Sequence, residues 1–240
     1  MQLSVTETAA LLNVSEKVVY NWIKQDELPV HRINEQFRFN RAELLEWATA
    51  RHLQISPDIF VEKSGGAPLP SLGNALRAGG VAYRVAGGDP PSVLRAIVDI
   101  LKLPEEVDRG FLYQVLLARE ELGSTGVGDG IAIPHVRNPV VLHVPHPTVT
   151  LCFLEHPISF KAVDGQPVGI LFMLISPTVR AHLHLLSRLA FVLRQQDFKA
   201  VLKRQAPREE LMRALESAEA TLPAPGNPNG GDPPVSAGAI

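Results

Sequence analysis

The chain has 240 residues, enough for one or two domains, with 45% hydrophobic and 20% charged residues and a formal net charge of −2. That charge excludes a global basic field of the kind that holds nucleic acid non-specifically, so any such contact has to come from a local patch. A single cysteine, Cys152, excludes an intramolecular disulfide and a cysteine-built zinc site.

The chain opens MQLSVTETAA, without a basic segment leading into an apolar stretch, and no later apolar run approaches the ~20 residues of a membrane-spanning helix. No secretory signal, no membrane insertion and a cytoplasmic location are expected. Residues 4–29, SVTETAALLNVSEKVVYNWIKQDELP, have the pattern of two short amphipathic helices with a tight turn at Asn13-Val14-Ser15. Thr6 is expected to cap the first helix and Ser15 the second. Val5, Ala9, Leu11 and Leu12 are expected to face Val18, Val19, Trp22 and Ile23. VHRINEQFRF then alternates like a small hairpin. NRAELLEWATARHL begins with Asn40, a good N-cap, and Glu43 three residues on completes a capping-box pattern.

This order of residues, SVTETAALLNVSEKVVYNWIKQDELP followed by RFNRAELLEWA, resembles the excisionase/MerR-type winged helix-turn-helix over about 50 residues. The resemblance implies a second helix in the major groove and a wing on the backbone. Carried over by position, Lys17, Tyr20, Asn21 and Lys24 stand outward on that helix, with Arg32 and Arg38 on the wing. The four cations suit phosphates and Asn21 a base edge. Residues 1–53 nevertheless hold six Lys and Arg against seven Asp and Glu, which weakens phosphate neutralisation. A fold kept for protein contacts is the alternative.

Residues 53–69 lack a steady period and carry Gly-Gly and Pro, which predicts a linker with one apolar anchor, Ile59-Phe60. From 70 to 220 the pattern is mixed α/β. PSVLRAIVDILKL, DRGFLYQVLLAREEL, RAHLHLLSRLAFVLRQQ and PREELMRALESA have helical spacing, the last starting at Pro207. TVTLCFLE and VGILFMLISP are β-rich apolar runs of buried-strand length. Residues 221–240 are rich in Pro and Gly and are expected to be disordered.

GSTGVGDGIAIPH, residues 123–135, joins a flexible turn to a short stiff segment that ends on a histidine. A phosphoryl-accepting histidine needs one neutral, exposed ring nitrogen fixed in direction, with donors or cations to meet the incoming charge. Glycines let backbone amides approach a phosphate; they equally make a plain loop before a strand. The window alone does not decide between these.

AREELGSTGVGDGIAIPHVRNP, LEHPISFKAVDGQPVGILFMLISP and AHLHLLSRLAFVL, in that order, resemble the enzyme IIA domain of the bacterial phosphoenolpyruvate-dependent phosphotransferase system. The branch is the mannitol/fructose type, and within it the nitrogen-regulatory IIA proteins. The resemblance spans roughly residues 70–220. It implies a mixed β-sheet flanked by helices, an α/β fold. It implies His135 as the phosphorylated histidine, His182 as a second active-site histidine that meets the phosphoryl charge, and Arg119 as the arginine beside the site. Ser124 and Thr125 either hydrogen-bond the phosphate or cap the turn. Asp164 has a turn role, since an acid beside phosphate would repel it. The implied partner is the histidine-containing phosphocarrier protein, with DNA and regulated target proteins as further partners. No cofactor and no metal are implied. His143 and His146 are spaced loosely like ligands, but flanking prolines mark a loop, and Cys152 is expected to be a buried small hydrophobe. Together these features imply a regulatory phosphohistidine-transfer component, not a free-standing enzyme, that couples phosphorylation to transcription. The alternative is a DNA-binding or protein-interaction regulator with an inert IIA fold.

Overall fold

The computed structural model describes residues 2–25, 27–33, 36–51, 53, 69–136 and 144–222. The expected linker and its Ile59-Phe60 anchor fall outside them, apart from residues 53 and 69, as does the expected disordered tail beyond residue 222.

The N-terminal elements follow the expected order. β1 (Gln2–Leu3), α1 (Val5–Leu11) and α2 (Glu16–Lys24) precede a hairpin of β2 (His31–Ile33) and β3 (Gln36–Asn40), and α3 (Arg41–Ala50) follows. β1 pairs with β3, so the hairpin is part of a three-stranded antiparallel sheet. The turn between α1 and α2 forms at Asn13, whose φ of 52° is left-handed. Ser4, not Thr6, caps α1. Ser4 is extended and its Oγ accepts from Glu7 N–H, while Glu7 returns a carboxylate to Ser4 N–H at 2.8 Å. Thr6 already lies in the first turn, where its hydroxyl cannot reach the orphan amides. Ser15 occupies the N-cap of α2 without a side-chain bond. Ala9, Leu11, Leu12 and Val19 are buried, Val5, Trp22 and Ile23 partly so, and Trp22 meets Trp47 edge-on at 5.1 Å.

The larger domain contains α4 (Leu72–Gly79), β4 (Gly80–Val85), α5 (Pro90–Ile100), α6 (Arg109–Glu121), β5 (Gly126–Gly128), β6 (Ile131–Ala132), β7 (Thr148–Ile158), β8 (Val168–Ile175), α7 (Val179–Val192), α8 (Gln196–Lys203) and α9 (Arg208–Ala220). Five strands form one sheet in the order β4-β7-β8-β6-β5. It is mixed: β4 is parallel to β7 and β6 to β8, while β7–β8 and β5–β6 are antiparallel.

The two apolar runs become β7 and β8, buried on both faces. Val149, Leu151 and Phe153 join α4, α7, α8 and α9 on one face; Cys152 and Leu154 join α5 and α6 on the other. This is why neither run alternates: with period-2 geometry, each face needs its own apolar set. Each fully buried large side chain contributes about 1.5–3 kcal/mol. Cys152 is fully buried as expected, and burial pushes its thiol pKa up to about 12.

The apolar layer beneath α7 is continuous with the core of the N-terminal domain, and α3 packs against both α7 and β5.

Candidate functional site

His135 lies three residues past the end of β6 and is pinned on two sides. On one, Pro134 O accepts from Leu174 N–H at 3.1 Å, and His135 itself bridges Leu174 in parallel fashion. On the other, Ile133 N–H donates to Thr125 O at 3.0 Å. The imidazole is then oriented by its own chain: Nδ1 lies 2.7 Å from Ile133 O. A carbonyl can only accept, so Nδ1 is the donor, and in the neutral ring Nε2 is the nitrogen with the in-plane lone pair. His135 is 2% exposed. This differs from the exposed, shallow acceptor expected from the sequence; α3 lies on β5 and α7, two elements that frame the site.

His182 sits on the first turn of α7, one turn past Thr178, whose hydroxyl caps the helix by accepting from Ala181 N–H at 3.1 Å. Side chains on a helix lean towards its N-terminus. The ring of His182 stands 5.0 Å from that of His135, centroid to centroid, tilted by 41°. It is 1% exposed and is thus no helix-surface histidine. His184, two residues on, points elsewhere: its Nε2 lies 3.2 Å from Pro70 O. Burial first, then Arg188, hold its pKa below the ordinary histidine value.

Arg119 occupies the last turn of α6, is buried, and donates to Gly123 O at 2.8 Å. Beside it Glu120, which sequence reasoning missed, anchors the same loop. Its carboxylate accepts Thr125 Oγ1–H at 2.6 Å and Thr125 N–H at 3.1 Å. Burial raises the Glu120 pKa, partly offset by the Thr125 hydrogen bonds. The Ser124 hydroxyl donates to Phe160 O and accepts from Gly126 N–H at 3.0 Å. Both hydroxyls thus hold the turn in this structure, one of the two roles open to them. A chain of contacts runs Arg119–Gly123, Glu120–Thr125, Thr125–Ile133, Ile133–His135. The close pair Arg119-Glu120 ahead of Ser124-Thr125 was the available signal, but a carboxylate five residues from its hydroxyl has no distinctive period.

Gly128 and Gly130 shape a turn away from His135. Gly128, Asp129 and Gly130 all have φ between 55° and 90° and make the β5–β6 turn. That turn lies at the far end of the hairpin from His135, about five residues or ~16 Å along an extended strand. Asp129 is held there by Lys199 at 2.8 Å, and its N–H donates to Asp164 at 2.9 Å. Asp164 also accepts from Gln166 N–H, so it has the expected turn role. Gly126 is required by close approach, since a Cβ there would come within 2.6 Å of Ala162 Cβ.

On the N-terminal domain, Lys17, Tyr20, Asn21 and Lys24 are exposed on α2, and Arg32 is exposed on the wing. Arg38 is half-buried and donates to Gln36 Oε1. Tyr20 meets Phe37 edge-on at 6.2 Å and Arg32 stacks over the same ring at 5.7 Å, tying α2 to the hairpin. Glu43 lies 2.8 Å from His31 Nε2. His146 is exposed ahead of β7, and His143 lies outside the described residues. Among the described residues no group of three or more His, Cys, Asp or Glu has metal-binding geometry, and no helix is long and apolar enough to cross a membrane.

Residues 78–218 match the family model described as phosphoenolpyruvate-dependent sugar phosphotransferase system, EIIA 2, and residues 3–52 match that of a helix-turn-helix domain. A nitrogen regulatory protein of Pseudomonas aeruginosa is 38% identical over 145 residues, 59% of this chain and 91% of the relative. That of Escherichia coli K12 is 37% identical over 123 residues, 50% of this chain and 72% of the relative. The crystal structure of nitrogen regulatory protein IIA-Ntr from Neisseria meningitidis superposes with a TM-score of 0.50 at 31% identity, covering 56% of this chain and 91% of its own.

Proposed function

The chain belongs to the phosphoenolpyruvate-dependent sugar phosphotransferase system EIIA 2 family, and from that membership we propose that His135 Nε2 accepts a phosphoryl group from the histidine-containing phosphocarrier protein. The observation that supports this reading is the Nδ1 contact to Ile133 O, which fixes the ring through Nδ1 and makes Nε2 the nitrogen assigned to the phosphoryl group. In the transfer the Nε2 lone pair forms a new N–P bond as the N–P bond to the donor histidine breaks, in line. The proton stays on Nδ1, hydrogen-bonded to Ile133 O, throughout. There is little covalent chemistry for the protein to perform, so positioning and charge compensation are its contribution. His182 donates a ring N–H to the phosphoryl oxygens. The N-terminal end of α7 adds the partial positive charge of its unbonded amides. Arg119 contributes charge and holds the loop that carries Thr125.

The N-terminal domain gives the phosphorylation state a transcriptional output. Lys17, Lys24 and Arg32 pair with phosphates and Asn21 reads a base edge. Resemblance to nitrogen regulatory proteins favours regulation over sugar phosphorylation.

The test is incubation with phosphoenolpyruvate, enzyme I and the phosphocarrier, read as acid-labile phosphate by intact mass beside His135→Ala. Label that disappears in the variant supports the acceptor role. The alternative, a regulator with an inert IIA fold, is favoured by the burial of His135. It gains if no label appears with a carrier proven active.

A further inference from the structure

α3 buries more of its surface than a helix with one covered face. Glu43, Leu44, Leu45, Trp47 and Ala48 are each at most 9% exposed. At about 100° per residue they span roughly 200° of the helix. A surface helix of a small domain buries about half of that. The excess is explained by a second layer. Glu43 and Trp47 are held by their own domain, through His31, Trp22 and the Glu27 carbonyl. Leu45 stands roughly 160–200° round the helix from them, and yet it is only 1% exposed. The elements of the larger domain that pack on α3 are β5 and α7. β5 follows directly on Ser124-Thr125, and α7 carries His182. Val127 of β5 and Leu183 of α7 pack against the same apolar cluster as Leu44, Leu45 and Ala48.

We propose that this docking of α3 on β5 and α7 is an intramolecular latch: it competes with the phosphocarrier for the face around His135, so the N-terminal domain must lift away before phosphoryl transfer and is displaced once His135 is phosphorylated. The proposal rests on the assignment of His135 as acceptor. Two observations carry it. A His135 side chain 2% exposed cannot meet the histidine of another protein in line. And α3 rests on the two elements that lead to Thr125 and carry His182, while Lys17, Tyr20, Asn21, Lys24 and Arg32 stay exposed, so the contact spares the outer face of α2. By linkage, docking disfavours the phosphorylated state at equilibrium by the same free energy as phosphorylation disfavours docking.

The test uses the full chain in two measurements. First, phosphoryl uptake from phosphoenolpyruvate, enzyme I and limiting phosphocarrier is followed for wild type, Leu45→Ala and Leu45→Glu. Both tryptophans, Trp22 and Trp47, lie in the N-terminal domain, so their emission reports whether it stays folded. Variants with wild-type emission are expected to take up phosphate about tenfold faster or more, the inverse of the undocked fraction in wild type. Equal rates would overturn the latch while leaving the acceptor assignment intact. Second, hydrogen exchange of the wild-type chain is compared before and after phosphorylation. Amides of Arg41–Ala50 and Gly126–Gly128 are expected to exchange faster in the phosphorylated chain, and unchanged exchange would overturn the latch even if both variants unfold. Label in the Leu45 variants alone is the strongest support. No label in any chain removes the acceptor assignment and the latch with it.

Discussion

The rings of His135 and His182 stand 5.0 Å apart, although one residue lies just past a short strand and the other in the first turn of a helix, 47 positions later. Replacing His182 with Gln keeps a donor of similar reach and removes the imidazole. Phosphorylation of His135 is expected to persist at a rate lower by roughly 10²–10³, the loss typical of one preorganised donor to a charged transition state. A quenched time course by intact mass measures it. An unchanged rate would reduce His182 to a packing residue.

Glu120 makes stability depend on pH. Its pKa is raised by burial above the ordinary 4.5. A carboxyl raised on folding favours the fold while protonated, and that contribution is lost as pH climbs through the folded value. Relative to Glu120→Gln, which cannot ionise, wild type should therefore lose stability as pH rises from below 4.5 through the raised value. Thermal melts of both proteins across that window provide the measurement. A difference that grows in favour of wild type as pH rises would mean that the Thr125 hydrogen bonds, not burial, dominate.

Gly79 closes α4 against β7. A Cβ there would lie 2.2 Å from Val149 O, which is backbone and cannot swing aside. Gly79→Ala is expected to destabilise by about 1–3 kcal/mol, the usual range for overpacking. Gly88→Ala, where a Cβ meets nothing within 4 Å, should stay within about 0.5 kcal/mol. Urea unfolding of the two variants separates these outcomes.

On DNA, the two kinds of contact should respond differently. Lys17→Ala is expected to weaken binding across all sequences and to lower the slope of log affinity against log salt by about one. Asn21→Ala should cost about 1–3 kcal/mol on the preferred site and little on random duplex. Titrations at several salt concentrations, on selected and random duplexes, measure both. If no duplex is preferred over random sequence for wild type, the base-reading role of Asn21 is wrong.

Much of this protein was legible from local pattern. The two apolar runs of β7 and β8, the helical periods of α5, α6, α7 and α9, and the hairpin before α3 each follow from interactions between residues close in the chain. The resemblance of GSTGVGDGIAIPH and AHLHLL to one family singled out His135 and His182 before any geometry. Other features required the fold. Ser124 and Thr125 could serve phosphate or turn until Phe160 O and Glu120 were brought to them. The glycines could cradle a ligand until the hairpin carried Gly128 and Gly130 to its far end. The Nδ1 contact depends on the exact path of Pro134 beside Leu174. The burial of Leu45 depends on α3 packing against β5 and α7, and the closeness of His135 to His182 depends on α7 lying against the sheet. Periodicity records which faces of an element are apolar; it holds no record of which distant surface covers them, because that is decided by contacts between residues far apart in sequence.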